Sequence, residues 1–533
     1  MAVEKTAALL RGQRYVWLRH QHLPCDVRAE SNIFRRLPLP DGTSMAAIRG
    51  TLNYLIRRHE GLRTTFHFDT DDDPRQVVHP PAPLSVPTVS TERDGTPGPA
   101  EVVAELSGTA FELAKEWPIR ACVITTGGQP TQLVLVLNHM ALDAWSVELL
   151  EQELEALREG VSAGRPTVLR PVRPQPLDLA RHEASAEGRS GRDRAAEDWR
   201  EHLAHVPTDV FDSRRNPGAP PGAYGGTLTS PGLLDATRRI AERHHVWPSL
   251  VHVTAHAQAL LAYTGAEQVA HLFFAGGRES SACPDVLTCT FSPVLLQVDG
   301  RGDPSFGELL QQVARRFTEA SAHADLPYDE LLEFLAVRSE QRGIPIRLGA
   351  EVNFLNHGTH SSRARRTILT RSAVPAAWQE QGSDTSFRVY EQRDAVVVAL
   401  NARAGVMDSE AVAGLLRGYE TLLLAQLDPA VDLRRTDVGA LFGFRPPSRT
   451  AASVPVTTAS DEATTVLSVV VGQANGLPAV DPAHSYVAAG GRALRIPRVQ
   501  RLLAEHGWGG LSFDALLSGR PLAELAGTAR WIG

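Results

Sequence analysis

The chain has 533 residues and a formal charge of −7, from 54 Lys plus Arg against 61 Asp plus Glu, with 43% hydrophobic and 22% charged residues. That length provides for two or three hydrophobic cores, and the composition is that of a globular enzyme. The scattered Arg and the net negative charge give no argument for a nucleic-acid partner, and no run approaches the ~20 apolar residues that a helical bilayer span needs, so neither nucleic acid nor a membrane is an expected partner.

The start, "MAVEKTAALLRGQRYVW", lacks the apolar core of a signal peptide. Cys25, Cys122, Cys283 and Cys289 form no CxxC and no disulfide framework. The expected setting is therefore a cytoplasm with reduced thiols. Leu133 to Leu137 is an unbroken Leu/Val run and predicts a strand buried on both faces. It runs into Asn138-His139, and Asp143-Ala144-Trp145-Ser146 follow. Ser146 is predicted to cap a helix whose apolar positions are Val147, Leu150, Leu154 and Leu157, with Glu148, Glu151 and Glu153 in its first turns. His139 and Asp143 thus fall in a strand-to-helix loop, a frequent place for chemistry on a rigid scaffold. The bland alternative for His139 is a core histidine satisfied by backbone.

Further along, "SAGRPTVLRPVRPQPLDLA" (162–180) carries four Pro and is predicted to cross the surface between two halves. The stretch "GLLDATRRIAERHHVWPSLVHVTAHAQALLAYTG" predicts two amphipathic helices. Strand signals ("AHLFFAG", "VLLQVD", "DAVVVALNA") alternate with helix signals ("SFGELLQQVARRFTEA", "SEAVAGLLRGYETLLLAQL"), so the class is α/β or α+β. The stretch 444–465, rich in Pro, Ser, Thr and Ala, reads as a flexible linker, and the ~70 residues after it as a small helical appendix. His59, His79, His202, His205, His244, His245, His252 and His256 offer metal-like spacings such as "HVTAH" but no acidic or Cys partners that would complete a ligand set, so no metal site is expected. "GAEQVAHLFFAGGRESS" has too few glycines, in the wrong order, for a phosphate loop.

"NHMALDAWS" resembles the HHxxxDGxS signature of condensation domains of nonribosomal peptide synthetases, relatives of chloramphenicol acetyltransferase. Other family motifs follow in order: "GQRYVW" with Gln13 and Trp17, "RRHEGLRTTF", "EDWREHLAHVP", "FFAGGRES", "TCTFSPVLLQVD" and "HADLPYDEL". The resemblance covers residues 1 to about 435. It implies a two-lobed, V-shaped chloramphenicol acetyltransferase-like fold, with an N-terminal lobe at 1–175, a C-terminal lobe at 176–440 and a linker at 441–460. It also implies that His139 is the catalytic residue. Asp143 and Arg278 would form a structural ion pair, Arg63 would be structural, Asn138, Ala144, Trp145 and Ser146 would complete the site architecture, and Phe291 and Ser292 would lie in the floor loop. The departures are Asn138 for the first His, Ala144 for Gly, and Pro293 for the floor-loop Asn. Ala144 would be strained if its backbone needed a positive φ.

The appendix resembles a peptidyl carrier domain, with "YVAAGGRAL" in place of the family's "FxxLGGDSL". Tyr486, Gly490, Gly491 and Leu494 keep that frame, while Arg492 replaces an acidic residue and Ala493 replaces the serine that carries phosphopantetheine. The expectation is a small all-α carrier-like bundle over 461–533 that holds no covalent cofactor. The function implied is that of a free-standing condensation enzyme. It would join an acyl or aminoacyl thioester, presented on the phosphopantetheine of a separate carrier protein, to an amine or alcohol acceptor, forming an amide or ester. A recruitment or scaffold protein of weakened activity is the alternative reading, given the departures at Asn138, Ala144, Pro293 and Ala493.

Overall fold

The computed structural model describes residues 5–532 apart from 69–72, 93–97, 166, 277, 279–284, 323, 358–359, 380–382 and 446–460. Cys283 and most of the expected linker lie outside the described residues. The chain forms two compact units. The first comprises residues 1–192 with 276–292 and 327–329, and the second comprises 193–275, 293–326 and 330–533. The sequence reading cuts the lobes at 175 and 176, whereas the first unit also takes in the segment after residue 275. The reason is chemical: Arg278 and Thr288 bond to Asp143 and Ser146.

The first unit is built on a four-stranded sheet ordered Asn32–Pro38, Gln129–Asn138, Ile119–Thr126 and Thr88–Ser90. The Gln129–Asn138 strand is central and antiparallel to both long neighbours, pairing Leu137 with Ile33 and with Ile119. Its residues Leu133 to Asn138 are all buried, so the Leu/Val run faces protein on both sides, as a central strand requires. A second sheet joins Lys5–Ala8, Arg75–Val78 and Thr64–His67. Helix Met45–Arg58 is capped by Ser44 and buries Ile48, Leu52, Leu55 and Ile56 along one stripe.

The second unit contains a seven-stranded mixed sheet ordered Ser292–Asp299, Gln268–Ala275, Ala350–His357, Thr385–Gln392, Val396–Arg403, Ala223–Ser230 and Ile368–Ser372. Pro293 sits at the second position of the first strand in that order, an edge strand, where a missing N–H need not break a ladder. Helix Pro231–His244 is amphipathic as expected, started by Ser230 and Pro231 and stopped at His245 in the left-handed region (φ 53°). The next helix, Pro248–Thr264, is not amphipathic: every residue from Leu250 to Leu261 is buried. Its His and Thr side chains do not form a wet face, because His252 meets Tyr419, His256 meets His271, and Thr254 bonds the carbonyl of Leu250.

Residues 461–532 also belong to the second unit. Helices Asp461–Asn475, Ile496–Glu505, Phe513–Leu516 and Leu522–Ala526 surround the buried Leu467, Val471, Tyr486, Val499 and Leu525. The segment is not wholly helical, since Trp508–Gly509 pairs with Arg530–Trp531 and the two indoles meet edge to face. Among the described residues no helix is long and apolar enough to cross a membrane.

Candidate active site

The turn after the Gln129–Asn138 strand is fixed from inside by Asn138. Its Oδ1 accepts the Met140 N–H at 2.9 Å, its carbonyl accepts the Ala141 N–H at 3.1 Å, and its own N–H donates to Pro118. Asn138 is 2% exposed. A short side-chain amide that bonds its own backbone two residues on is a turn device, so Asn stabilises this position through local bonds. The tight turn leaves His139 half-buried on the strand end.

Asp143, not Ser146, caps the following helix, Ala144–Ser162. Its Oδ1 accepts the Ser146 N–H at 2.8 Å. The expected cap at Ser146 fails because its hydroxyl is already committed: it donates to the Thr288 carbonyl at 2.9 Å and accepts from the Thr288 N–H at 3.1 Å and from Arg278 Nη2 at 2.9 Å. Ala144 begins the helix with no positive φ, so the Gly-to-Ala departure carries no backbone strain. Trp145, in the first turn, is 57% exposed.

Arg278 gathers this loop. Its Nη2 donates to both Asp143 oxygens at 3.0 Å, and its Nη1 donates to the Val286 carbonyl at 2.8 Å. Both partners are buried, at 8% and 6% exposure. The charges are therefore compensated by each other and by the Val286 and Thr288 carbonyls, the condition under which a buried pair is tolerated. Asp143 also accepts the Thr290 N–H at 3.2 Å. The structure thus brings Asn138, His139, Asp143, Ser146 and Arg278 together. Arg63 lies with its own turn, donating to the Ile56 carbonyl at 3.1 Å with Glu60 3.5 Å away.

Phe291 and Ser292 are the residues expected in the floor loop. Phe291 packs with its ring centre 6.1 Å from that of His139, and Ser292 is buried at the start of its strand. Closer to His139 is Cys289, which sequence reading leaves out of the site: its thiol donates to the His139 carbonyl at 2.8 Å, and its sulfur lies 3.8 Å from Nδ1. Burial, reinforced by Asp143 and opposed by Arg278, pushes the Cys289 thiol well above its ordinary range, so it acts as a packed neutral donor and not as a nucleophile. Thr288 ties this strip to helix Arg11–His22, accepting from Gln13 Nε2 at 3.3 Å, while Gln13 Oε1 accepts the Leu10 N–H. Sequence reading also misses Tyr15, whose ring lies 5.3 Å from Phe291 and 4.7 Å from Tyr328. It sits inside "GQRYVW", and only its place two residues after Gln13 in that motif could have flagged it.

No group of three His, Cys, Asp or Glu that could hold a metal occurs among the described residues. The site residues offer one imidazole, a pinned loop and an apolar, aromatic rim. That arrangement suits proton transfer at a positioned substrate.

Gly490, Gly491, Arg492 and Ala493 lie in the second unit. Gly490 has φ +98°, and a Cβ on Gly491 would come within 2.5 Å of the Tyr486 ring, so both positions require glycine. Arg492 donates its N–H to Asn475, and Ala493 is fully buried.

The family model for the condensation domain matches residues 4–436. Among curated proteins, the chain is 30% identical over 309 residues to a probable non-canonical nonribosomal peptide synthetase, CymA, of Salinispora arenicola, covering 56% of this chain and 4% of that one. It is 25% identical over 393 residues to chondramide synthase of Chondromyces crocatus, covering 72% of this chain and 10% of that one. The chain thus spans a small fraction of the length of the relatives it matches. Among solved structures, the X-domain from teicoplanin biosynthesis superposes with a TM-score of 0.61 at 22% identity, over 82% of this chain and 98% of that one. A complex of that X-domain with OxyB superposes equally well, with a TM-score of 0.61 and 21% identity over 82% and 96% of the two chains.

Proposed function

Because the chain belongs to the condensation-domain family, we propose that it is an acyl-transferring enzyme of nonribosomal peptide biosynthesis. It joins an acyl or aminoacyl thioester, carried on the phosphopantetheine of a separate carrier protein, to an amine or alcohol acceptor. The observation that carries this reading is His139, held half-buried on a turn whose flanking carboxylate is pinned by Arg278. With an amine acceptor, the nitrogen attacks the thioester carbon, a C–N bond forms, the C–S bond breaks, and the proton lost by nitrogen passes through the imidazole to the departing thiolate. A positioned base of this kind contributes about 10² to 10⁴ in rate. The Phe291 ring and the Cys289 sulfur stand beside the imidazole.

The lobes are read as 1–175 and 176–440, the linker as 441–460, and 461–533 as a degenerate peptidyl carrier-like domain whose Ala493 offers no hydroxyl for a phosphopantetheine arm. The setting is taken to be cytoplasmic. Recruitment of another protein is the second reading; it is favoured by the likeness in fold to an X-domain that forms a complex with OxyB. The accommodation of Asn138 and Ala144 without strain favours the enzyme instead.

A transfer assay separates the two. Carriers loaded with acyl and aminoacyl thioesters are incubated with the protein and a panel of amines and alcohols, and products are read by mass. The enzyme reading expects free carrier thiol and condensed product in equal amounts. Carrier binding without any product across the panel supports recruitment.

A further inference from the structure

Helix Tyr328–Arg342 carries Glu333, Ala336 and Glu340 at i, i+3 and i+7, hence on one face. Each of the three meets the C-terminal segment. Glu333 Oε1 accepts the Ala493 N–H at 2.8 Å. Glu340 accepts from the Ser485 hydroxyl at 2.6 Å and from its N–H at 3.3 Å, with His484 Nδ1 3.4 Å away. Gly519 lies so close that a Cβ there would stand 2.8 Å from the Ala336 carbonyl and 2.7 Å from the Glu340 nitrogen.

These contacts come from three separate parts of the segment, around residues 485, 493 and 519, so the segment is held as a body and not by one loop. Ser485 and Ala493 are both fully buried. The charge of Glu333 also reaches the Tyr486 phenol, which burial first, and Glu333 in addition, push upward. A carboxylate that accepts a buried backbone N–H makes a charge-assisted bond, stronger than a neutral one.

We propose that Glu333 and Glu340 latch residues 461–533 onto the Tyr328–Arg342 helix and close position 493 from solvent. The segment is then a fixed brace: it does not travel, and it presents position 493 to no modifying enzyme and no partner domain. This rests on the contacts themselves. The carrier-like reading of the segment can fail without it, and it can fail without that reading.

The test uses the full chain with Ala493→Cys and a small maleimide, with labelled sites mapped by peptide mass and exposed Cys25 as the internal reference. The introduced thiol is expected to react at least ~100-fold more slowly than Cys25, because reaction must await local opening. Adding Glu333→Ala and Glu340→Ala should accelerate labelling at position 493 at least ~10-fold and leave Cys25 unchanged. Equal rates at the two thiols in the single variant overturn the burial. Slow labelling unchanged by the carboxylate substitutions overturns the latch, since the segment's own fold would then cover the position. Should the cysteine variant fold poorly, amide hydrogen exchange over 484–496 in the native protein and in Glu333→Ala/Glu340→Ala gives the same decision: faster exchange in the variant supports the latch, and equal exchange overturns it.

Discussion

Asp143 does three things with two oxygens: it caps the Ala144–Ser162 helix, neutralises Arg278 and holds the Thr290 N–H. Removing it strands a buried guanidinium, and removing Arg278 strands a buried carboxylate. Asp143→Ala and Arg278→Ala should each cost about 3 to 5 kcal/mol, and the double variant much less than the sum. Chemical denaturation of the four proteins measures this, and additive losses would show that the two charges do not interact. The contact between these residues, 135 positions apart, is legible in the sequence only through the motif frame. The role of Ser146 is not: serine before a helical run signals a cap, and nothing local reveals that its hydroxyl is taken by Thr288. Cys289 is hidden for a related reason. It touches His139 through a backbone carbonyl, an acceptor that every residue has.

At the scale of elements, residues 286–291 pass between helix Arg11–His22 and the turn after helix Met45–Arg58, and two glycines make the room. A Cβ on Gly12 would lie 2.6 Å from the Cys289 carbonyl oxygen, and one on Gly61 would lie 2.3 Å from that of Leu287. Backbone cannot yield as a flexible side-chain tip can. Gly61→Ala should therefore destabilise the protein by about 1 to 3 kcal/mol through overpacking, and should lower turnover as well, because Leu287 lies two residues from Cys289. Thermal melts read beside turnover check this; a variant of native stability and native rate would mean that the strip moves freely. Both glycines stand inside motifs, at "GQRYVW" and "EGLRTTF", yet a glycine chosen for a close approach looks like any other. Helix Pro248–Thr264 reads as amphipathic in the sequence for the opposite reason. Its polar residues find partners within the core, and periodicity counts them as a wet face.

Across the whole molecule, three buried histidines add to the sensitivity to acid. His252, His256 and His271 are fully buried, and burial is the main cause of their lowered pKa values, to about 3 for His252, well below the ordinary value for His256, and to about 4 for His271. The folded chain keeps all three neutral, while the unfolded chain protonates them near pH ~6.5. Below that pH the unfolded state binds more protons, so stability is full above about pH 6.5 and falls as the pH drops towards ~4, by up to about 1.4 kcal/mol per pH unit for each ring. Denaturation midpoints at pH 7, 6 and 5 should decline in that order, and a flat profile contradicts the assignment. The mixed α/β character is legible from the alternation of strand and helix signals. The grouping of residues 276–292 with the first unit is not, because it follows from contacts far apart in sequence.

The proposed activity turns on His139. The most direct measurement is the single-turnover rate of thiol release from an acyl-loaded carrier with an accepted amine, compared between the native protein and His139→Ala of matched melting behaviour. A loss of at least ~10² is expected, the contribution of one positioned base. An unchanged rate would contradict the catalytic reading and leave recruitment as the function of the fold.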